Sequence, residues 1–344
     1  MKKLSTLLLL FFFSTIFAQS KEENSSGKFS GYMVGDYYYN INHNNAKLID
    51  QHGFWFRRIY FTYDYSINAS FSTRLRFEMN NDGEYSSAAT MVPIVKDAYL
   101  AYKFGNQKAY FGISSTPTFC LIEKVWGYRA IEKTSLDLQK MASSRDFGFS
   151  VKGKFDNSGK FRYHVMFGNG SSNKQEIDKG KSFMGSVSYW LSKEIVFQVY
   201  GDYADRAGKA DTYIGQGFLG YNSKKLHGGI QYSHQTLKAK DGVSDDLTLR
   251  LLSLFLSGNV TEKFKLVGRV DRMFNPNPVG NKVAYTPFDN TASFWLAIAG
   301  VDYKVAKDVS VIPNVEFVTY DTNDKGVKPN NDLYGRVTFY WKFN

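Results

Sequence analysis

From Leu333 to Phe343 apolar and polar residues alternate along the chain. Leu333, Gly335, Val337, Phe339, Trp341 and Phe343 fall on one parity; Tyr334, Arg336, Thr338, Tyr340 and Lys342 fall on the other. Successive side chains of a strand point to opposite faces, so this segment has one lipid-like face and one that can be wet. Its length is close to the roughly 9–11 residues a tilted strand needs to cross a bilayer. The same pattern recurs upstream. Phe71, Leu75, Phe77 and Met79 oppose Ser72, Arg74, Arg76 and Glu78, and Ala98, Leu100, Tyr102 and Phe104 oppose Asp97, Tyr99 and Lys103. Phe147, Phe149, Val151 and Phe155 face away from Asp146, Ser150, Lys152 and Lys154, and Phe161 to Phe167 repeats the arrangement around Arg162 and His164.

A soluble β-sandwich shows the same alternation, so the connections between strands decide the matter. Short connectors at 68–69, 105–106, 156–160, 192–194, 222–225, 258–262 and 304–308 alternate with longer polar stretches. The latter lie at 41–53, 80–93, 114–144, 169–181, 205–211, 235–246, 275–291 and 321–331. Short turns on one side and long loops on the other are the signature of a transmembrane barrel, and the count is about sixteen strands. The expected fold is therefore all-β, a closed antiparallel transmembrane β-barrel. Two segments resist a facing assignment: Leu249 to Leu256 is apolar on both faces, and Phe294 to Tyr303 alternates poorly. Pro313 removes a ladder hydrogen bond and predicts a bulge or irregularity in its strand.

The N-terminus sets the expected compartment. Lys2 and Lys3, the apolar run Leu7 to Phe13, and Ala18 before Gln19 have the layout of a secretory signal peptide, residues 1–18. Residues 19–28 then form a short N-terminal segment, too brief for a plug domain, and 29–344 the barrel. No later stretch is long and apolar enough for a transmembrane helix. A chain with 24 Tyr, 29 Phe, 29 Gly and only 7 Pro, yet polar on average, fits a barrel with one wet and one lipid face. The expected location is the outer membrane of a Gram-negative-type bacterium, in contact with its lipid.

Cys120 is the single cysteine, which excludes an internal disulfide framework, and the five histidines have no metal-ligand spacing. No cofactor or metal is expected. The net charge of +11 is spread along the chain rather than gathered in a run. With an export signal, it argues against nucleic acid and for a positive field in a lumen that favours anions. Parity places Arg58, Arg74, Arg76, Lys103, Lys152, Arg162, Arg269 and Arg336 inward, together with Asp64, Glu78, Asp97, Asp146, Asp271 and Glu316.

The longest connection, 114–144, carries Pro117, Phe119, Trp126 and Tyr128 among mixed charges. A long loop is usually functional or disordered, and its aromatics need something to pack against. Two placements are open: inside the lumen, narrowing it, or as a flap over the rim. The aromatic content favours the lumen.

Several segments resemble the phosphate-selective porin O and P family, including its Bacteroidetes-type relatives. They are Arg57 to Tyr65, Lys96 to Tyr102, Thr116 to Phe119, Trp126 to Arg129, Ser144 to Gly148, Gly168 to Gly170 and Ile312 to Glu316. The resemblance implies a sixteen-stranded barrel, often a homotrimer, with its third extracellular loop folded into the pore, passing small anions along basic side chains. By position, Arg58, Arg74, Arg76, Arg129 and Arg145 correspond to such a ladder; Lys103, Lys152 and Arg162 join them as inward cations. The expected function is passive diffusion of small hydrophilic solutes, anions preferred and phosphate-like anions among them. The alternatives are a structural or adhesive barrel, and a barrel enzyme. No GxSxG elbow is present, and His164 and His227 have no serine motif beside them, so no enzymatic activity is expected.

Overall fold

A computed structural model describes residues 25–85, 88, 90–177, 179–206, 211–239 and 245–344. Residues 1–18 and 19–24 lie outside the described residues. Sixteen strands run through the chain: β1 (Ser26–Asn42), β2 (His52–Ser66), β3 (Phe71–Asn80), β4 (Val92–Phe104), β5 (Gln107–Ser115), β6 (Arg145–Lys154), β7 (Phe161–Gly168) and β8 (Ser182–Trp190). They continue as β9 (Ile195–Ala204), β10 (Asp211–Asn222), β11 (Leu226–Lys238), β12 (Leu247–Asn259), β13 (Phe264–Met273), β14 (Phe294–Ala306), β15 (Val309–Tyr320) and β16 (Asp332–Phe343). Each pairs antiparallel with its sequence neighbours, and β1 pairs with β16 from Gly31↔Phe343 to Asn42↔Leu333. Closure removes every sheet edge, which lipid requires because it offers no partner to free backbone groups. The expected transmembrane β-barrel is therefore the observed fold. The first strand begins at Ser26, three residues before the expected boundary at 29.

Of four register shifts among the described strands, two re-aim charged residues. Val34 pairs with Arg58 and Gly35 with Phe56, so Arg57 is the extra residue, and both arginines are buried inside the barrel. Arg76 pairs with Asp97 and Phe77 with Val95, leaving Lys96 extra on β4. A bulge opposes two residues to one and re-aims a side chain. Strict period two would have put Arg57 and Lys96 against lipid. Pro313, by contrast, forms no bulge. The β14–β15 register is the same on both sides of it, and only the ladder pairs between Gly300↔Asn314 and Tyr303↔Val311 are missing. The proline faces outward, and what it lacks is a donor.

The third long loop, residues 116–144, folds into the lumen. It holds two short helices, α1 (Cys120–Trp126) and α2 (Ser135–Leu138). Gly127 ends α1 in the left-handed conformation, φ 70°, with its N–H on the Glu123 carbonyl. Phe119, Ile122, Val125, Trp126, Ile131, Leu136 and Leu138 are all buried, against Phe218, Leu249, Leu251, Phe255, Leu296 and Ile298 of the inner wall. This explains the two segments that resisted a facing: β12 and β14 are apolar on both faces because one meets lipid and the other meets this loop. The core of the protein is thus the seam between the third loop and the β9–β15 half of the barrel.

Candidate functional site

The β2–β6 half of the lumen stays polar, and the third loop faces it with its own charges. Seven of the eight sequence candidates come from the wall and Arg129 comes from the loop. The structure divides them by depth. Arg58 and Arg129 line a cavity of about 240 Å³ together with Arg57, Lys96, Lys133, Glu78 and Asp137. Arg74, Arg145 and Lys152 line a smaller one, about 70 Å³, with Asp97, Tyr110 and His164. Arg76 binds Asp97 at 3.2 Å, donates to Thr62 Oγ1 at 2.8 Å and lies over the Tyr60 ring. Lys103 and Arg162 sit near the turn end instead, exposed and away from both cavities; Arg162 donates to the Gly159 carbonyl and lies over Trp190.

The cations do not form a bare ladder, since carboxylates interleave with them. Asp97 is the hub of one group: it contacts Arg145, Arg76 at 3.2 Å and Arg74 at 3.9 Å. Asp64 takes Arg74 in a two-pronged pair at 2.7 and 2.9 Å, the strong geometry for a guanidinium. Glu78 binds Lys96 at 2.7 Å and stands 3.9 Å from Arg58. Arg129 is held by Glu123 and, at 3.3 Å, by Asp137. Lys152 instead lies over the Tyr110 ring, 4.5 Å from its centre. Arg58 is the exception in this set. It is buried, its Nε and Nη1 have no hydrogen-bond partner, and the nearest carboxylate is not in bonding range. On the loop, burial pushes the Lys133 ammonium below its ordinary value, which Asp137 opposes. Burial resists ionisation of Asp137, yet Arg129 and Lys133 hold its carboxyl below the usual range.

A second charge cluster anchors the loop from the other side. Glu132 lies 3.5 Å from Arg57 and 3.8 Å from Arg336. Arg57 binds Asp36 at 2.7 Å and also donates to the Ala130 carbonyl. Arg336 binds Glu316 at 2.5 Å, and Arg269 binds Asp271 at 2.5 Å while donating to the Lys133 carbonyl. Burial resists the Glu132 charge, but Arg57 and Arg336 hold its carboxyl below the ordinary range. The seventh loop, residues 274–293, joins from above: Arg336 donates to the Tyr285 carbonyl at 2.7 Å and to Thr286 Oγ1 at 2.9 Å. Tyr285 N–H meets the Gly83 carbonyl of the second loop at 3.0 Å, and its hydroxyl lies 2.8 Å from Asn81 Oδ1. Arg269 and Arg336, inward as expected, therefore hold loops in place and line neither cavity of the polar half.

Sequence reading missed Arg57, Lys96 and Lys133 as members of the constriction. The first two had a readable signal: Arg57-Arg58 and Lys96-Asp97 put two charges side by side in an otherwise alternating strand. Among the described residues no group of three His, Cys, Asp or Glu is placed to hold a metal.

No protein-family model matches the chain, and no curated protein sequence matches it. Solved structures do. An anion-selective porin from Comamonas acidovorans is 12% identical, with a TM-score of 0.63 over 93% of this chain and 100% of that one. The outer membrane channel DcaP of Acinetobacter baumannii is 12% identical, with a TM-score of 0.64 over 95% and 99%. OmpT of Vibrio cholerae, in its trimer form, is 15% identical, with a TM-score of 0.61 over 93% and 100%. At these identities the likeness is one of fold: a sixteen-stranded porin-type barrel.

Proposed function

We propose that the chain is an outer-membrane porin that passes small hydrophilic solutes by passive diffusion and prefers anions. The observation that carries this reading is the position of the third loop. It fills the apolar half of the lumen and leaves two cavities lined by charged side chains against the β2–β6 wall. Selectivity in such pores follows the charge lining the narrowest part. There Arg58, Arg74, Arg76, Lys96, Arg129, Lys133, Arg145 and Lys152 outnumber Asp64, Glu78, Asp82, Asp97, Glu123 and Asp137. The carboxylate beside nearly every cation makes the field moderate, which suits general anion preference better than tight capture of phosphate. Phosphate-like anions are then some solutes among several. The similar folds of an anion-selective porin and of an outer-membrane protein in its trimer form support the same reading, and a homotrimer is the assembly we assign. Residues 1–18 serve as the export signal in this scheme.

The test is single-channel conductance of the refolded protein in a planar bilayer, with the reversal potential under a salt gradient. Open current with an anion-selective reversal potential is expected. A cation-selective potential would remove the anion preference, and a folded barrel that passes no current would remove the porin reading itself.

A further inference from the structure

The membrane-facing side of the barrel carries a feature that solute passage does not use. One row of the sheet, taken across six neighbouring strands from β7 to β12, holds Val165, Gly185, Gly201, Gly215, His234 and Arg250, each paired with the next. Parity turns this row outward, since Tyr200, Gln216 and Gln235, one residue away on their strands, are buried inside. The three glycines form the floor of an apolar groove of about 810 Å³, with Phe183 and Tyr213 among its walls.

Nothing within the chain requires glycine at these three positions. A Cβ on Gly215 would meet no atom within 4 Å, and on Gly185 or Gly201 the nearest atom lies at 3.9 or 3.6 Å, ordinary contact. None of the three has a positive φ. The groove is therefore space kept free toward the membrane. At one end of it stand two outward polar side chains, the His234 imidazole and the Arg250 guanidinium, both exposed. Arg250 donates to Asn275 Oδ1 at 3.2 Å, lies over the Phe274 ring and has no carboxylate partner among the described residues. An arginine on the lipid face costs energy that shrinks only near the headgroups. The next residues toward the loops are aromatic, Phe183, Tyr203 and Tyr213, as at the interfacial girdle of such barrels.

We propose that this groove holds an acyl chain of a membrane lipid whose anionic, phosphate-bearing headgroup is bound by Arg250 and His234. Strands lie about 4.8 Å apart, so the trough from Val165 to His234 is roughly 19 Å long, enough for most of an acyl chain. The Arg250 guanidinium and the His234 ring N–H can donate to the headgroup, and the apolar floor takes the tail. This site depends on the membrane-spanning fold and not on the transport reading.

Native mass spectrometry of the delipidated, refolded protein tests it, with phosphatidylglycerol and phosphatidylcholine of identical acyl chains as probes. The wild type is expected to bind phosphatidylglycerol about fivefold more tightly, the worth of one basic side chain at an anionic surface. The double variant Arg250→Ala/His234→Ala should bind both lipids equally, and Gly215→Leu should weaken both. A gel-shift on heating confirms that each variant is folded. Equal binding by the wild type, or a preference that survives the double variant, overturns the proposal. So does a Gly215→Leu protein that loses an oligomer yet keeps its lipid, since the groove would then be a contact between copies of the chain.

Discussion

Replacing Arg336 with methionine is the sharpest probe of what holds the loops inside the barrel. Its guanidinium ties β16 to Glu316 at 2.5 Å and reaches Tyr285 O and Thr286 Oγ1 of the seventh loop and Glu132 of the third. All of these groups are buried. Removing one partner of a buried ion pair costs about 3–5 kcal/mol, because the other charge stays desolvated. Loss of the hydrogen bonds to the seventh loop overlaps with that figure and does not simply add. We expect about 4 kcal/mol to be lost from loop docking, while the barrel itself, held by its own ladder, stays closed. Glu132→Gln makes the contrast. Glu132 Oε1 accepts the Lys133 N–H at 2.7 Å, a bond that an amide oxygen retains. The Glu132 contacts to Arg57 and Arg336, at 3.5 and 3.8 Å, are the longest in the group, so neutralising Glu132 gives up less than removing Arg336. That change should cost about 1 kcal/mol or less. Hydrogen exchange of peptides from residues 116–144 and 274–293, in detergent, reads both variants. About a thousandfold loss of protection is expected for Arg336→Met, with a larger or noisier conductance, and near-native protection for Glu132→Gln. Equal effects of the two changes would refute the ranking by contact length, and unchanged protection in Arg336→Met would refute the cluster as the anchor.

Arg58→Ala/Arg129→Ala should move the reversal potential toward cations, whereas Lys103→Ala/Arg162→Ala, at the turn end, should move it far less; a reversed order would place the selectivity elsewhere. Gly112 has φ 121°, and a Cβ there would lie 2.2 Å from the Ala98 carbonyl oxygen. Gly112→Ala should therefore cost more than about 2 kcal/mol and slow folding into lipid vesicles, while Gly217→Ala, with open space around it, should not. Burial pushes His43 down to about 4, and its Nδ1 accepts the Asn45 N–H at 2.8 Å, which a protonated ring cannot do. Its folded pKa lies below the unfolded value of about 6.5, so the first loop keeps full stability above pH 6.5 and loses up to about 3 kcal/mol as pH falls toward 4. Exchange protection of residues 43–51 measured across that window should fall in the wild type and stay flat in His43→Gln.

The barrel was legible because lipid leaves the chain so little choice. Period-two alternation and the contrast between short turns and long loops are both local, and together they pointed to the sixteen strands seen. Six of the eight candidate cations were legible as inward-facing by the same parity, while Arg129 and Arg145 came from the family resemblance. What parity cannot supply is depth and partner. Lys103 and Arg162 share a face with Arg58 but lie at another level of the lumen, and the pairing of Asp97 with Arg145 spans many residues of chain. The entry of the seventh loop, with Tyr285 against Asn81, left no local trace at all.

Where the alternation failed, it failed for physical reasons that point back to the constriction. Two adjacent charges in a membrane strand cannot both obey period two without one facing lipid, at a cost of about 2–4 kcal/mol near the midplane. A bulge removes that cost, and the two charge pairs in question, Arg57-Arg58 and Lys96-Asp97, sit at bulges on β2 and β4 that face the third loop. A strand apolar on both faces is wasteful in a water-filled lumen unless something dry covers it, and β12 and β14 are covered by the aromatic third loop. The two kinds of exception therefore belong together. The apolar exceptions mark the wall on which the loop packs. Of the charged ones, Arg57 grips the loop through Ala130 and Glu132, while Arg58 and Lys96 line the cavity beside it. The breaks in the pattern thus mark both contacts of the loop with the wall.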